Sequence, residues 1–147
     1  NWTSVVRLGI VGSEAAKFTR GREVEARECI RFLLRCGVTE VVSGACHLGG
    51  IDHWAIEEAK TAGIAYKEFP PQTQSWSGGY RERNMQIVAR SDAVVCITVR
   101  ELPPEFTGRR FAYCYHCRTR DHIKSGGCWT VKQAQAAGKT GEIYVIY

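Results

Sequence analysis

Short β-branched runs alternate with amphipathic stretches along the whole chain, and that alternation leaves few folds open. The clearest run is residues 93–99 (AVVCITV), uncharged throughout, which reads as a strand buried on both faces. Residues 5–11 (VVRLGIV) read as another strand and run into Gly12-Ser13, and residues 40–43 (EVVS) enter a glycine-containing loop. Residues 64–69 close at Pro70-Pro71, and residues 143–147 form a final strand pattern. Between them, Val24, Ile30, Leu33 and Leu34 predict a helix over 22–36, stopped by Gly37. Trp54, Ile56 and Ala59 mark a second helix ending near Gly63, and Met85, Ile87 and Val88 a short third. Residues 129–137 predict a fourth, with Gly138 as its stop. Strands separated by helices imply an α/β chain with a mostly parallel sheet and helices on both faces. Ligands of such sheets bind beyond the carboxyl ends of the strands, where the strand order reverses.

The length of 147 residues fits one domain, 1–147, with a genuine core. Residues 101–124 lack periodicity and are long for a βα connection, so 100–124 read as an irregular insertion. No apolar run approaches the ~20 residues needed to cross a membrane. Asn1-Trp2-Thr3-Ser4 lacks the basic-then-apolar layout of a signal peptide, which points to a cytoplasmic protein. The seven cysteines are odd in number and scattered through strands, helices and loops, unlike a disulfide framework. A net charge of +5 favours anionic partners.

Three small-residue loops lie where such a sheet binds ligands: Gly12-Ser13, residues 43–52, and residues 125–130. Without a β-carbon, glycine lets backbone amides approach a phosphate, and a following helix adds unpaired N–H groups and a positive dipole end. Glycines also make ordinary tight turns, but three such loops on one sheet edge favour a bound phosphate. Neither G-x-G-x-x-G nor a Walker P-loop is present, so no NAD or FAD motif exists.

The segment VVSGACHLGGIDHWAIEEAKTAGI resembles the S-G-G-A-x-G-I-D-x-x-A segment of the DNA-processing protein A family. YRERNMQIVARSDAVVCI resembles that family's R-N-x-x-I-A-x-x-S-D-x-x-V segment, and SGGCWTVKQAQAAGK its S-G-x-x-x-T-x-x-A-x-x-x-G-K/R segment. With the LOG phosphoribohydrolases, that family belongs to the SLOG superfamily of Rossmann-like nucleotide-binding domains. The resemblance covers nearly the whole chain outside residues 100–122. It implies a Rossmann-like fold, a nucleotide or nucleotide-derived ligand, and a homodimer.

By the resemblance, the ligand-binding positions are Gly12 and Ser13 in the first loop and Ser43, Gly44, Gly50 and Asp52 in the second. They continue with the pair Arg83 and Asn84, and with Ser125, Gly126, Gly127 and Thr130 in the last loop. Arg83 can also be argued from chemistry, since its fork pairs bidentately with phosphate or carboxylate. Asp52 reads equally as a helix N-cap. The second loop is two residues longer than the family's form, which places Cys46, His47 and Leu48 near the ligand. LOG enzymes carry P-G-G-x-G-T-x-x-E with a catalytic glutamate; here Gln133 takes that position and Trp129 replaces the trailing glycine. Gln133 cannot serve as a carboxylate acid or base. The expected activity is therefore binding rather than glycosidic hydrolysis.

Residues 114–128 carry a further pattern, C-x2-C-x4-H-x5-C, formed by Cys114, Cys117, His122 and Cys128. It is one residue longer than a retroviral-type zinc knuckle. Two thiolates two residues apart can grip one side of a tetrahedral zinc, and a later His and Cys can close it. His116 could stand in for His122, and Cys46 or His47 for Cys128. The alternative is a set of reduced loop thiols.

Three functions follow as expectations. The first is a nucleotide-binding module whose zinc-clipped insertion ends in the phosphate loop. The second is a phosphoribohydrolase-like enzyme with altered catalytic residues, using Asp52, Glu57 or a metal-bound water. The third is single-stranded nucleic-acid binding, through Arg109, Arg110, Arg118, Arg120 and Lys124 with Tyr113, Tyr115 and Trp76.

Overall fold

A computed structural model describes residues 6–147, so Val5 and the N-terminal residues 1–4 lie outside the described part. Five strands form one all-parallel sheet: β1 Arg7–Gly12, β2 Glu40–Ser43, β3 Ala65–Glu68, β4 Ala93–Val99 and β5 Thr140–Ile146. Their spatial order is β3-β2-β1-β4-β5. The helices are α1 Arg20–Leu34, α2 Ile51–Ala62, α3 Arg81–Arg90 and α4 Gly126–Ala136.

The alternation of side chains along the strands sorts the core into two layers. Leu8, Ile10, Val41, Val95, Ile97 and Val99 pack with Ile30, Leu33, Trp54 and Ala59 of α1 and α2. Val11, Val42, Val94 and Cys96 pack with Ile87 and Val88 of α3 and Val131 and Ala134 of α4. Helices therefore cover both faces, and β4, central and buried at all seven positions, is the strand that was plainest in sequence. Strand order reverses between β1 and β4, which opens a crevice beyond Gly12 and Val99.

Several boundaries move for physical reasons. Strand β5 begins three residues before its apolar run, because Gly141 fits under α4 where a β-carbon would stand 2.9 Å from the Val131 carbonyl oxygen. All four residues of β3 are exposed, as suits an edge strand. Val24, expected on the buried face of α1, is 50% exposed, and Ala26 takes the buried place. Helix α4 starts at Gly126 because the Ser125 hydroxyl accepts from the Gly127 N–H at 3.2 Å. A single wide turn, Trp76–Tyr80, precedes α3 and had no periodic signal; its Gly78 sits at φ 85°.

Gly12 fixes the crossing of β1 and β4, since a β-carbon there would stand 2.1 Å from the Ile97 carbonyl oxygen. Gly12→Ala is expected to lower stability by about 1–3 kcal/mol through overpacking. A urea midpoint equal to wild type would contradict this.

Candidate functional site

The crevice between the β1 and β4 ends holds a cavity of about 270 Å³. Seven sequence-expected positions line it: Gly12, Asp52, Arg83, Asn84, Gly126, Gly127 and Thr130. The other five stand behind its walls. Ser13 bonds Thr98 Oγ1 at 2.9 Å, and that hydroxyl donates to the Ile123 carbonyl at 3.0 Å, tying the first loop to the insertion. The Ser43 hydroxyl donates to the Ile10 carbonyl, Gly44 offers its carbonyl to Arg83, and Ser125 caps α4. Gly50, at φ 88°, lies so close to Ser13 that a β-carbon would stand 2.4 Å from its carbonyl oxygen.

The polar centre of the cavity is a buried trio. Arg83, 8% exposed, donates from Nε to Asn84 Oδ1 at 2.8 Å and from Nη1 to the Gly44 carbonyl at 3.2 Å. Its Nη2 has no hydrogen-bond partner among the described residues. Asp52 faces Nη1 at 3.9 Å and accepts from the Cys46 N–H at 3.2 Å. Burial raises the Asp52 carboxyl above the usual carboxylate range, opposed by the Arg83 charge. Asp52 is not the N-cap of α2: that position is Gly50, and Asp52 lies inside the first turn, where its carboxylate holds the extended second loop instead. Gly44 makes this packing feasible, because a β-carbon would collide with the Arg83 guanidinium.

The N-terminal end of α4 meets the cavity through Gly126, Gly127 and Thr130. Gly127 packs against the sheet, with Cys96 Sγ 2.8 Å from a would-be β-carbon, whereas Gly126 faces open space. Thr130 lines the cavity, and its hydroxyl is fully buried with no hydrogen-bond partner among the described residues. A buried hydroxyl left unpaired is costly, and the Ser91 hydroxyl, away from the cavity, is in the same state. Tyr80 and Val11, which no sequence motif marks, also line the wall, as do Lys124 and Trp76, expected from the sequence as nucleic-acid contacts. Cys46 and Leu48 do reach the cavity, as the longer second loop led us to expect, while His47 is exposed. Trp76, 46% exposed, meets Trp129 edge-on at 4.8 Å. Gln133 lines a separate shallow groove with Met85 and Trp129, outside this cavity.

Beside α4, the ligand atoms of Cys114, Cys117, His122 and Cys128 all lie within 4.8 Å of one another. A tetrahedral zinc with Zn–S about 2.3 Å sets neighbouring ligand atoms roughly 3.8 Å apart. Cys128 Sγ and His122 Nε2 stand at 3.7 Å. Backbone bonds in both directions between Cys114 and Thr119 close a hairpin, with Arg118 in the left-handed region at φ 56°. His122 Nδ1 is held by the Asp121 carboxylate, which leaves Nε2 to face the thiols, as the outer partners of metal-bound imidazoles do. Burial, then the neighbouring Cys128 and Cys114 sulfurs, push the Cys117 thiol up to about 12. Contact with Cys96, followed by burial, also raises Cys128. The cluster can hold a metal ion, and three thiols with one imidazole suit zinc chemistry. His116, which stacks beside Tyr115, and Cys46 and His47 are not in the cluster.

No protein-family model matches the chain, and no curated protein matches it by sequence. Its structure is similar to that of the molybdenum cofactor carrier protein MCP from Chlamydomonas reinhardtii, at 18% identity and a TM-score of 0.60. That match covers 94% of this chain and 75% of the other. It is also similar to DNA processing protein A (DprA) from Streptococcus pneumoniae, at 15% identity and a TM-score of 0.60. There it covers 97% of this chain and 51% of the other, so the chain spans about half the length of that protein. The sheet order, the helices on both faces and these two neighbours show that the chain has a Rossmann-like α/β fold.

Proposed function

We propose that the chain, as one domain 1–147 with an insertion at 100–124, binds a nucleotide or nucleotide-derived ligand in the crevice between β1 and β4. The observation that carries this reading is the unpartnered Thr130 hydroxyl, buried in a wall that also presents Gly126, Arg83 and Lys124. Helix N-terminus, guanidinium and ammonium suit a phosphate, and Trp76 and Tyr80 suit a planar ring. Ser13, Ser43, Gly44, Gly50 and Ser125 act behind these contacts by holding the loops in place. One solved neighbour is a molybdenum cofactor carrier, so that cofactor belongs in the same ligand screen.

A zinc ion held by Cys114, Cys117, His122 and Cys128 belongs to the same proposal. Four protein ligands leave no open coordination position, so the ion would supply structure, not a reactive water. Binding without hydrolysis is the favoured reading, because Gln133 brings no carboxylate and lies outside the cavity. All seven cysteines are free, which suits a reducing compartment such as the cytoplasm, and no described helix is long and apolar enough to cross a membrane. Calorimetric titration with nucleoside mono- and diphosphates tests the reading: saturable binding at one site supports it, and none across the panel rejects it.

The proposal extends to a homodimer through α3 and α4, where Met85, 41% exposed, and Trp129 line the shallow groove. Light scattering should give twice the 16.4 kDa chain mass. A monomer mass at micromolar concentration would reject it.

A further inference from the structure

The three thiols of the metal cluster are not equally reachable. Cys114 and Cys128 are fully buried, whereas Cys117 is half-buried, inside the turn that the Cys114–Thr119 bridge closes. They also differ in freedom to move. Cys128 lies in the first turn of α4 and packs into the same core layer as Cys96 and Val11 of the sheet. Cys114 and Cys117 belong to residues 100–125, which hold no helix or strand beyond that bridge.

On the reading that this cluster holds zinc, we propose that Cys117 is a modification site for hydroperoxides, and that its oxidation releases the metal and shuts off nucleotide binding. A sulfur bound to zinc is a thiolate, the form that attacks electrophiles, and Cys117 is the one that solvent reaches. Its sulfur takes one peroxide oxygen as the O–O bond breaks, giving a sulfenic acid and a hydroxide. The Cys114 thiolate then attacks that sulfur, displaces a second hydroxide and closes a Cys114–Cys117 disulfide. The two hydroxides take two protons from solvent, so one peroxide yields one disulfide and two waters. Cys114 is the resolving thiol because the irregular hairpin can let two sulfurs close from a ligand spacing of roughly 3.8 Å to about 2.05 Å. Cys128 would have to pull the start of α4 off the sheet to do the same. With two of its four ligands consumed, the zinc leaves. His122 and Cys128 then no longer tie the two ends of the segment that gives the cavity Lys124, Gly126 and Gly127.

The test treats the zinc-loaded wild-type chain with hydrogen peroxide. It reads zinc release with a chromogenic chelator, a tryptic peptide map, and binding of nucleoside mono- and diphosphates. Cleavage after Arg110 and Arg118 frees residues 111–118, which carry both hairpin cysteines. That peptide should lose two hydrogens in step with the zinc, one disulfide per ion released. Nucleotide affinity should fall at least about tenfold, and a thiol reductant with added zinc should restore it. Cys117→His keeps four ligands without the reachable sulfur, so its zinc should leave at least about tenfold more slowly under peroxide. If that variant takes no zinc, the wild-type map alone decides the case. Lack of zinc in the untreated chain would reject the metal reading and this proposal with it, whereas zinc retained through peroxide treatment would reject this proposal alone. A zinc-loaded chain that binds no nucleotide before treatment would reject the nucleotide reading and, with it, the shut-off. Three other results would overturn the proposal: a disulfide joining Cys117 to Cys128, oxidation at Cys46 of the cavity wall in place of the hairpin, or unchanged nucleotide affinity once the zinc has gone.

Discussion

Replacing Cys114 and Cys117 together by serine is expected to remove the metal and weaken nucleotide binding at least about tenfold, or 1.4 kcal/mol. The reason is the order of residues along the chain. His122 and Cys128 bracket Lys124, Gly126 and Gly127, so one ion would tie both ends of a segment that lines the cavity. Residues 100–125 contain no helix or strand beyond the bridge at Cys114 and Thr119, and they lean on the core through Leu102, Phe111 and Ile123. Structural zinc contributes an apparent binding energy of about 10–16 kcal/mol in zinc-finger peptides, far more than these few contacts supply. Without it, the insertion should lose protection from proteolysis while the sheet, whose two core layers lie mostly outside residues 100–125, keeps its circular dichroism. Acid should act in the same direction. Binding a dication must displace the proton of a Cys117 thiol that stands at about 12, so metal affinity falls as pH falls. A double variant that retains one metal per chain, or that binds nucleotide as wild type, would contradict the assignment.

The second large effect is expected at the cavity. Arg83→Ala removes the partner of buried Asp52 and opens space beneath Gly44. Breaking a buried ion pair costs about 3–5 kcal/mol, and the 3.9 Å separation places this one at the lower end. Nucleotide binding should be lost with it. Because that variant confounds stability with binding, Thr130→Val is the more informative change. It replaces an orphaned hydroxyl by a methyl of the same shape, so stability should rise by about 1 kcal/mol. Ligand affinity should fall about tenfold over the same substitution. A residue that serves only the fold would not move stability and affinity in opposite directions.

The two halves of the site were unequally legible in the sequence. The grouping of Cys114, Cys117, His122 and Cys128 was readable because the four side chains lie within fifteen residues, a dense gathering of thiols and imidazole. The glycine loops were readable through strand–glycine–helix order. What spacing could not separate was the residue that faces the cavity from the one behind it. Ser13 and Ser43 look as ligand-competent as Thr130, yet their hydroxyls are spent on Thr98 and on the Ile10 carbonyl. That distinction depends on strand pairing with β4 and β2, which no local pattern reveals. The aromatic side of the cavity was hidden for another reason. Trp76 and Tyr80 sit on an aperiodic turn set by Gly78, so nothing marked the direction in which their rings point. Helix and strand interiors followed from period and β-branching. Edges such as β3 and the start of β5 did not, because an exposed edge needs no apolar residue.

The most direct test is native mass spectrometry of freshly purified wild-type chain beside Thr130→Val, each supplied with zinc and the nucleotide panel. The account predicts one zinc-mass adduct on both proteins, and a nucleotide-sized adduct on the wild type that is lost from the variant. A bare polypeptide mass for the wild type under those conditions, or an equal nucleotide adduct on both, would contradict it.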